Sequence, residues 1–538
     1  MNLLRPFSHT VICSLCLLLS APHLVHADQQ PAKEQLKFAI YEFNVRGNSL
    51  LEARDIENVL YPYVGTGKTI DDVESARAAL EQRYRDAGYP TVLVNIPEQN
   101  ATRGAITLEV IESRISSLTI TGSEYFSPKD IREQVPALKE GGIMNSPAVS
   151  AQLGRLNAAN PDRTVIPVLR PGKFPGTVEV ELKVKDKVPA NISLELNNRY
   201  TANTTQQRAN INLHYGNLWQ ANHSIDLRYQ WTPQDSSEVK VLVGTYVMPL
   251  TDNTKLAFYA VDSKSKFEPT GVLSVLGGGN IYGLRWIDLL PSSPTYFQNW
   301  TLGFDYKKFK DVINLDRETG VETPIKYLQF MMQYSGTWMG ALDEEAQVEK
   351  HRTNMSVGLN WGMRGIFNNV DDFQSKADDS KPDYFYLRGS VEHNHLLPWE
   401  LSANVKTEAQ WSHQVLISNE QYSMGGDETV RGYLESDAMG ENGGSMQFEL
   451  RSMPFVKEQT WGLSNGYAFI FKDMGHVGVK NPLNGQEDAF TLASYGVGLN
   501  LEWFKQLKLS AAWAHPEKDS NNVKAGDNRV HFSIVWDF

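Results

Sequence analysis

The chain has 538 residues with 51 Lys and Arg against 63 Asp and Glu, and this net charge of −12 argues against a nucleic-acid partner. Its only cysteines are Cys13 and Cys16, and no run of 18 apolar residues follows residue 27, which excludes a disulfide scaffold and helical membrane spans. Removing 27 of 538 residues leaves 511, more than one ordinary domain.

Residues 1–27 read as a signal peptide. Arg5 supplies the positive region, Val11–Ser20 the apolar stretch, and Val25-His26-Ala27 the small-residue cleavage site. Cys16 follows Leu15, which speaks against a lipoprotein signal, and both cysteines leave with the peptide. A short segment, 28–37, follows and contains Pro31.

Residues 38–113 predict a compact α+β unit. A first strand runs through Phe38, Ile40 and Phe43–Val45, and a helix spans Glu52–Leu60. Thr69 with Asp72 predicts a capped second helix whose apolar stripe is Val73, Ala76, Leu80 and Tyr84. Strands Thr91–Ile96 and Ala105–Ile111 close a β-α-α-β-β order. Residues 114–188 repeat it. A strand at Leu118–Thr121 precedes a helix capped by Ser127-Pro128 and a second helix from Ser146-Pro147. Strands Val165–Leu169 and Thr177–Val184 complete the copy, and Gly47-Asn48-Ser49 aligns with Gly122-Ser123 at an offset of 75 residues.

From 189 to 538 the texture becomes alternation of period two. Ile225, Leu227, Tyr229 and Trp231 alternate with Asp226, Arg228 and Gln230, while Val530, Phe532, Ile534, Trp536 and Phe538 share one face of the final segment. All twelve tryptophans lie between Trp219 and Trp536, which fits the aromatic girdles of a transmembrane β-barrel. With sixteen strands, the 349 residues of 190–538 give about 22 per strand and connection, against roughly 9–11 needed for a membrane crossing.

One loop stands out in this region. Gly425–Ser436 carries Val430-Arg431-Gly432-Tyr433, and further on Phe471, Asp473 and Gly475 fall on one strand face. An Arg in a loop folded inward needs a carboxylate, and Asp473 is the candidate. These motifs, with Val45-Arg46-Gly47-Asn48, Gly88-Tyr89 and Asn160-Pro161, make the chain resemble the TpsB-type outer-membrane transporters of two-partner secretion, the FhaC and ShlB group of the BamA-related superfamily.

The resemblance implies a sixteen-stranded antiparallel barrel preceded by two POTRA domains in the periplasm. The implied activity is ATP-independent passage of an unfolded TpsA-like client to the cell surface or medium, without enzymatic chemistry, cofactor or metal. The implied setting is outer-membrane lipid, with a monomeric chain inserted by the barrel assembly machinery. It further implies that Arg431 contacts Asp473 inside the barrel and that Phe538, with Trp536, forms the assembly signal. A bidentate Arg–carboxylate bond is strong and is screened less inside a narrow barrel than at a surface. The client-binding candidates are the helix residues Leu80 and Tyr84 and the strand residues Thr91, Val92, Val94 and Ile96, on the ground that an exposed sheet edge accepts an extended segment.

The pattern departs from FhaC-like chains in one respect. Residues 28–37 leave no room for a plug helix, so the folded loop and other extracellular loops are expected to occlude the pore. Gly65-Thr66-Gly67-Lys68-Thr69 imitates a phosphate loop, but Pro62 stands where its first glycine belongs and the segment reads as a loop without a preceding strand. His393 and His395 share a strand face, with no third ligand evident. Alternatives that remain are a BamA-like assembly factor and a diffusion or nutrient channel.

Overall fold

The computed structural model describes residues 36–538 apart from 203, 265–267, 271–272, 276–277, 294, 316–318, 344–348, 457–460 and 483–486. The expected signal peptide (1–27) with its two cysteines, and residues 28–35 of the short segment, lie outside the described residues. The chain divides into two compact units. One holds the described residues to Ser116 with 141–147 and 171–178; the other holds 117–140, 148–170 and 179–538.

In the first unit, β1 (Phe38–Ile40) pairs antiparallel with β3 (Gly65–Lys68). β2 (Glu42–Arg46) runs parallel to β5 (Ala105–Glu112), and β4 (Val92–Asn95) lies antiparallel on the other side of β5. Two expectations are corrected. The single first strand is split at Tyr41, because the amides of Tyr41 and Glu42 both donate to the Gly104 carbonyl, at 2.7 and 3.3 Å. Gly65–Lys68 is not a loop but a strand, recruited by β1 despite its poor β-formers.

Helices α1 (Ala53–Leu60) and α2 (Ile70–Asp86) cover this sheet. The Thr69 amide and hydroxyl donate to Asp72 Oδ2 at 2.8 and 2.9 Å, satisfying donors at the start of α2. These bonds hold the Asp72 carboxyl below the usual carboxylate range. The Gly-x-Gly-Lys-Thr segment is therefore a strand leading into a capped helix. The α2 stripe of Val73, Ala76, Leu80 and Tyr84 meets Val92, Val94 and Leu108 in the core. Burial pushes the Tyr84 phenol well up.

The repeat is built from β6 (Arg114–Thr121), α3 (Pro128–Glu133), α4 (Ser146–Ala159), β7 (Arg163–Pro171) and β8 (Thr177–Asp186), with sheet order β6-β8-β7. Both copies share a device that spacing did not reveal. Glu112, ending β5, accepts the amides of Ser49 and Leu50, and Asp186, ending β8, accepts those of Glu124, Tyr125 and Phe126. In each copy one carboxylate pins the loop after the first strand.

Sixteen antiparallel strands then close into a barrel. They are β9 (Ala190–Asn197), β10 (Arg208–Leu218), β11 (His223–Trp231), β12 (Lys240–Pro249), β13 (Thr254–Lys264), β14 (Gly278–Leu289), β15 (Tyr296–Leu315) and β16 (Thr319–Met339). The second half is β17 (His351–Gly362), β18 (Phe385–Leu396), β19 (Ser402–Ser412), β20 (Asn442–Arg451), β21 (Leu463–Gly478), β22 (Ala489–Trp503), β23 (Leu507–Pro516) and β24 (Arg529–Asp537). Closure leaves no open edge, the condition for strands to sit in lipid. Leu227, Phe258, Trp300, Val357, Ile470 and Trp536 face outward, whereas Asn210, Asp305, Gln329, Gln447 and Asp473 are covered inside. Pairing is uneven: β15 and β16 match over twenty positions, but β24 meets β9 over only five. Backbone bonds between Phe538 and Ile192, at 2.8 and 3.5 Å, extend that seam.

Candidate functional site

The connection between β19 and β20 turns into the barrel rather than away from it. A short ladder of Tyr422–Met424 with Ala438–Gly440 forms its neck, and Arg431 lies at its inner end. Arg431 is 4% exposed and Asp473, on β21, 0%. Arg431 Nε donates to Asp473 Oδ2 at 2.7 Å and Nη2 to Oδ1 at 2.8 Å, a bidentate pair, and the Arg431 amide adds a third bond at 3.0 Å. Nη1 donates to Glu449 on β20 at 2.6 Å, and the guanidinium lies 3.7 Å over the Phe471 ring. Every member of this group has a partner, which is what a buried charge requires.

Each neighbour in the two motifs has a physical task. Gly432 adopts φ +93°, and a Cβ there would come within 3.2 Å of Pro516 and 3.3 Å of Ala514, so the backbone passes close to β23. Its amide donates to His531 Nε2 on β24 at 2.8 Å. The Tyr433 hydroxyl lies 3.0 Å from Ala493 O and 2.9 Å from Lys518 O. Val430 is buried among Met424, Val477 and Leu492. Gly475 makes room for the loop itself, since a Cβ there would meet Met424 Sδ at 2.3 Å. Phe471 is thus the stacking surface, Asp473 the acceptor and Gly475 the clearance.

Several participants were invisible in the motifs. Arg199, after β9, pairs with Asp427 at 2.8 Å and Glu428 at 3.1 Å, and Lys406 on β19 reaches Glu428 at 3.1 Å. Nearer β19 the loop has a second anchorage. Glu420 is 2% exposed and accepts from Lys307 Nζ on β15 at 2.7 Å, Gln329 Nε2 on β16 at 2.7 Å, Tyr386 on β18 at 2.9 Å, and Tyr327 on β16. Beside it Leu416 and Ile417 pack with Phe373 of α5 (Val370–Lys376), which lies between β17 and β18. These lumenal contacts involve strands from β15 round to β24.

The client-binding candidates fare differently. Leu80, Tyr84, Val92 and Val94 are fully covered in the core of the first unit, so as contact side chains they are corrected: they hold the domain together. Thr91 and Ile96 are half-buried at the strand's ends. β4 has β5 on one side and, among the described residues, no strand on the other. That free side is occupied from α2. Arg77 Nη1 donates to Val94 O at 3.3 Å and the Val94 amide reaches Glu81 Oε2 at 3.4 Å, while Arg77 and Glu81 pair at 2.8 Å.

At the far end of the chain, Trp536 and Phe538 point outward and stack with centroids 4.6 Å apart. His393 and His395 also point outward, and strand pairing brings His351 opposite His395. The three rings stack at 5.7–6.3 Å, and among the described residues no group of three His, Cys, Asp or Glu is arranged to hold a metal ion.

Comparison with known proteins adds to this geometry. Residues 176–501 match the family model described as haemolysin secretion/activation protein ShlB/FhaC/HecB, and residues 38–113 match a POTRA domain of ShlB type. The chain is 22% identical to the outer membrane transporter CdiB of Dickeya dadantii (strain 3937), covering 88% of this chain and 82% of the relative. It is 19% identical to the heme/hemopexin transporter protein HuxB of Haemophilus influenzae (strain 86-028NP), covering 94% and 88%. Its fold is similar to that of CdiB from Escherichia coli, with a TM-score of 0.62 at 18% identity over 96% of this chain and 94% of the other. BamA from Haemophilus ducreyi lacking POTRA domains 1–3 gives 0.58 at 14% identity, covering 93% and 100%.

Proposed function

The chain belongs to the haemolysin secretion/activation protein ShlB/FhaC/HecB family, and from that premise we propose that it takes one unfolded, TpsA-like exported protein from the periplasm and passes it through its barrel without ATP. The observation that carries this reading is the lumenal loop, which the Arg431–Asp473 pair seats inside the barrel. In this reading residues 38–113 and 114–188 are periplasmic domains, 189–538 is the outer-membrane barrel, and the chain works as a monomer. Deleting the gene and comparing surface and medium proteomes tests it. Loss of one large exported protein is expected; loss of many barrel proteins would favour the assembly-factor reading, for which the BamA-like fold is the supporting observation.

Client docking is assigned to the free side of β4. Leu93 is 49% exposed there, and an incoming strand would take over Val94 N–H and O from Glu81 and Arg77. Arg77→Ala should therefore raise client crosslinking from a cysteine at position 93, and disrupting Thr91–Ile96 should abolish it. Unchanged crosslinking in both would remove β4 as the docking edge. Occlusion is assigned to the lumenal loop and α5. A tightly closed pore that opened only when 28–37 was deleted would overturn that assignment.

A further inference from the structure

Arg431 fixes only the inner end of the lumenal loop. Its partners lie on β20 and β21, and none of them touches Glu420. Glu420 sits eleven positions earlier, in a single helical turn at Ser418–Glu420, and its partners come from β15, β16 and β18. Among the loop's anchorages, the one at Glu420 is thus made to a part of the wall that the Arg431 group does not contact.

The chemistry of the second place is specific. An ionised carboxylate is an acceptor only, with capacity on both oxygens. Here four donors converge on it: Lys307 and Tyr327 on Oε1, Gln329 and Tyr386 on Oε2. Lys307 balances the charge, and its side chain is itself only 11% exposed. Glutamine could not substitute cleanly, since its amide nitrogen would confront donors that need an acceptor. The main chain is tied down as well: Gln410 Nε2 on β19 donates to Glu420 O at 3.0 Å. An apolar barrel seam would need none of this, and a solvated loop glutamate would not assemble it.

We propose that Glu420 is a second latch of the lumenal loop, a positioning residue that fixes the loop's root to β15, β16 and β18 and must release, along with Arg431, for the pore to open. The latch rests on the transporter reading only for its purpose. Its existence is tested without any client, by single-channel conductance of the purified full-length protein in planar bilayers, with barrel assembly confirmed by heat-modifiable gel migration.

Glu420→Ala should raise the open-to-closed ratio at least tenfold. Arg431→Ala should raise it by its own factor. Because the two sites share no partner, the double variant should show the product of the two factors, whereas Arg431→Ala with Asp473→Ala should hardly exceed either single change. Tyr386→Phe and Gln329→Leu strip donors from the wall side and leave the loop sequence intact; each should raise the ratio by a smaller factor. They keep the test decisive if Glu420→Ala fails to assemble. Assembled Tyr386→Phe and Gln329→Leu proteins with wild-type gating would overturn the latch, as would a Glu420→Ala/Arg431→Ala protein no more open than Arg431→Ala. If gating changes as expected but the gene deletion removes no exported protein, the latch stands and the secretion reading falls.

Discussion

The first unit and the lumenal loop differ in how much of their burial is ionic. In the first unit Leu80, Tyr84, Val92, Val94 and Leu108 exclude water completely, and the charged residues stay at the surface. In the loop ionic contacts stand beside an apolar cluster around Val430 and Tyr433: Arg431 with Asp473 and Glu449, Glu420 with Lys307, Arg199 with Asp427. The difference teaches what each region is built to do. Apolar burial is non-directional, and exposing it to water costs in proportion to area. Satisfied ionic contacts are directional, and water replaces part of each when it breaks, so their net contribution is small against their gross strength. If the loop leaves and regains its seat, as the proposed function requires, contacts of the second kind serve it better.

One break in this comparison should come from the core. Leu80→Ala is expected to destabilise the first unit by about 2–5 kcal/mol, read as protease sensitivity in urea, with barrel migration on gels unchanged. Next come Arg431→Ala and Asp473→Ala. Each leaves a charge buried without its partner, a loss of about 3–5 kcal/mol in seating the loop, with impaired secretion and altered conductance. If either prevented the barrel from assembling, the loop would be a folding element and the contrast would disappear. Tyr433→Phe removes one hydroxyl and should cost about 1 kcal/mol, visible as faster flicker in recordings.

The smallest effect concerns pH. Bonds from Thr69 lower the folded pKa of Asp72, so its contribution is present above the ordinary aspartate value and is lost as pH falls through the folded one. The Tm difference between wild type and Asp72→Asn should accordingly shrink on acidification. A difference that grew instead would show that the carboxyl is not held by these bonds.

Much of this was legible in the sequence because it is local. Alternation over Ile225–Trp231 gave the outward face of β11, and Thr69 with Asp72 gave the start of α2. The Val430–Tyr433 and Phe471–Gly475 motifs named the two sides of the inner contact, although the clearance Gly475 provides for Met424 required coordinates. What escaped was long-range and without period. Lys307 and Glu420 are 113 residues apart, Arg199 and Asp427 228, and Gly432 and His531 99. No spacing rule links such positions, and Glu420 alone reads as one more loop charge. The covered state of Leu80 and Val92 was legible as periodicity but open in meaning, since an apolar stripe suits a core and a docking face equally.

The short seam between β9 and β24 bears on time rather than on shape. Every other neighbouring pair in the barrel is joined by a single connection, so it can zip soon after its two strands exist. β9 must wait for β24, with Glu195 and Ser533 separated by 338 residues. Loop-closure entropy rises only slowly with such a distance, so the delay is set by synthesis and insertion more than by free energy. Until then β9 carries an unpaired edge, the feature that most invites wrong partners. With five paired positions and the Phe538–Ile192 backbone bonds to complete it, the ring fastens last where it has the fewest stitches.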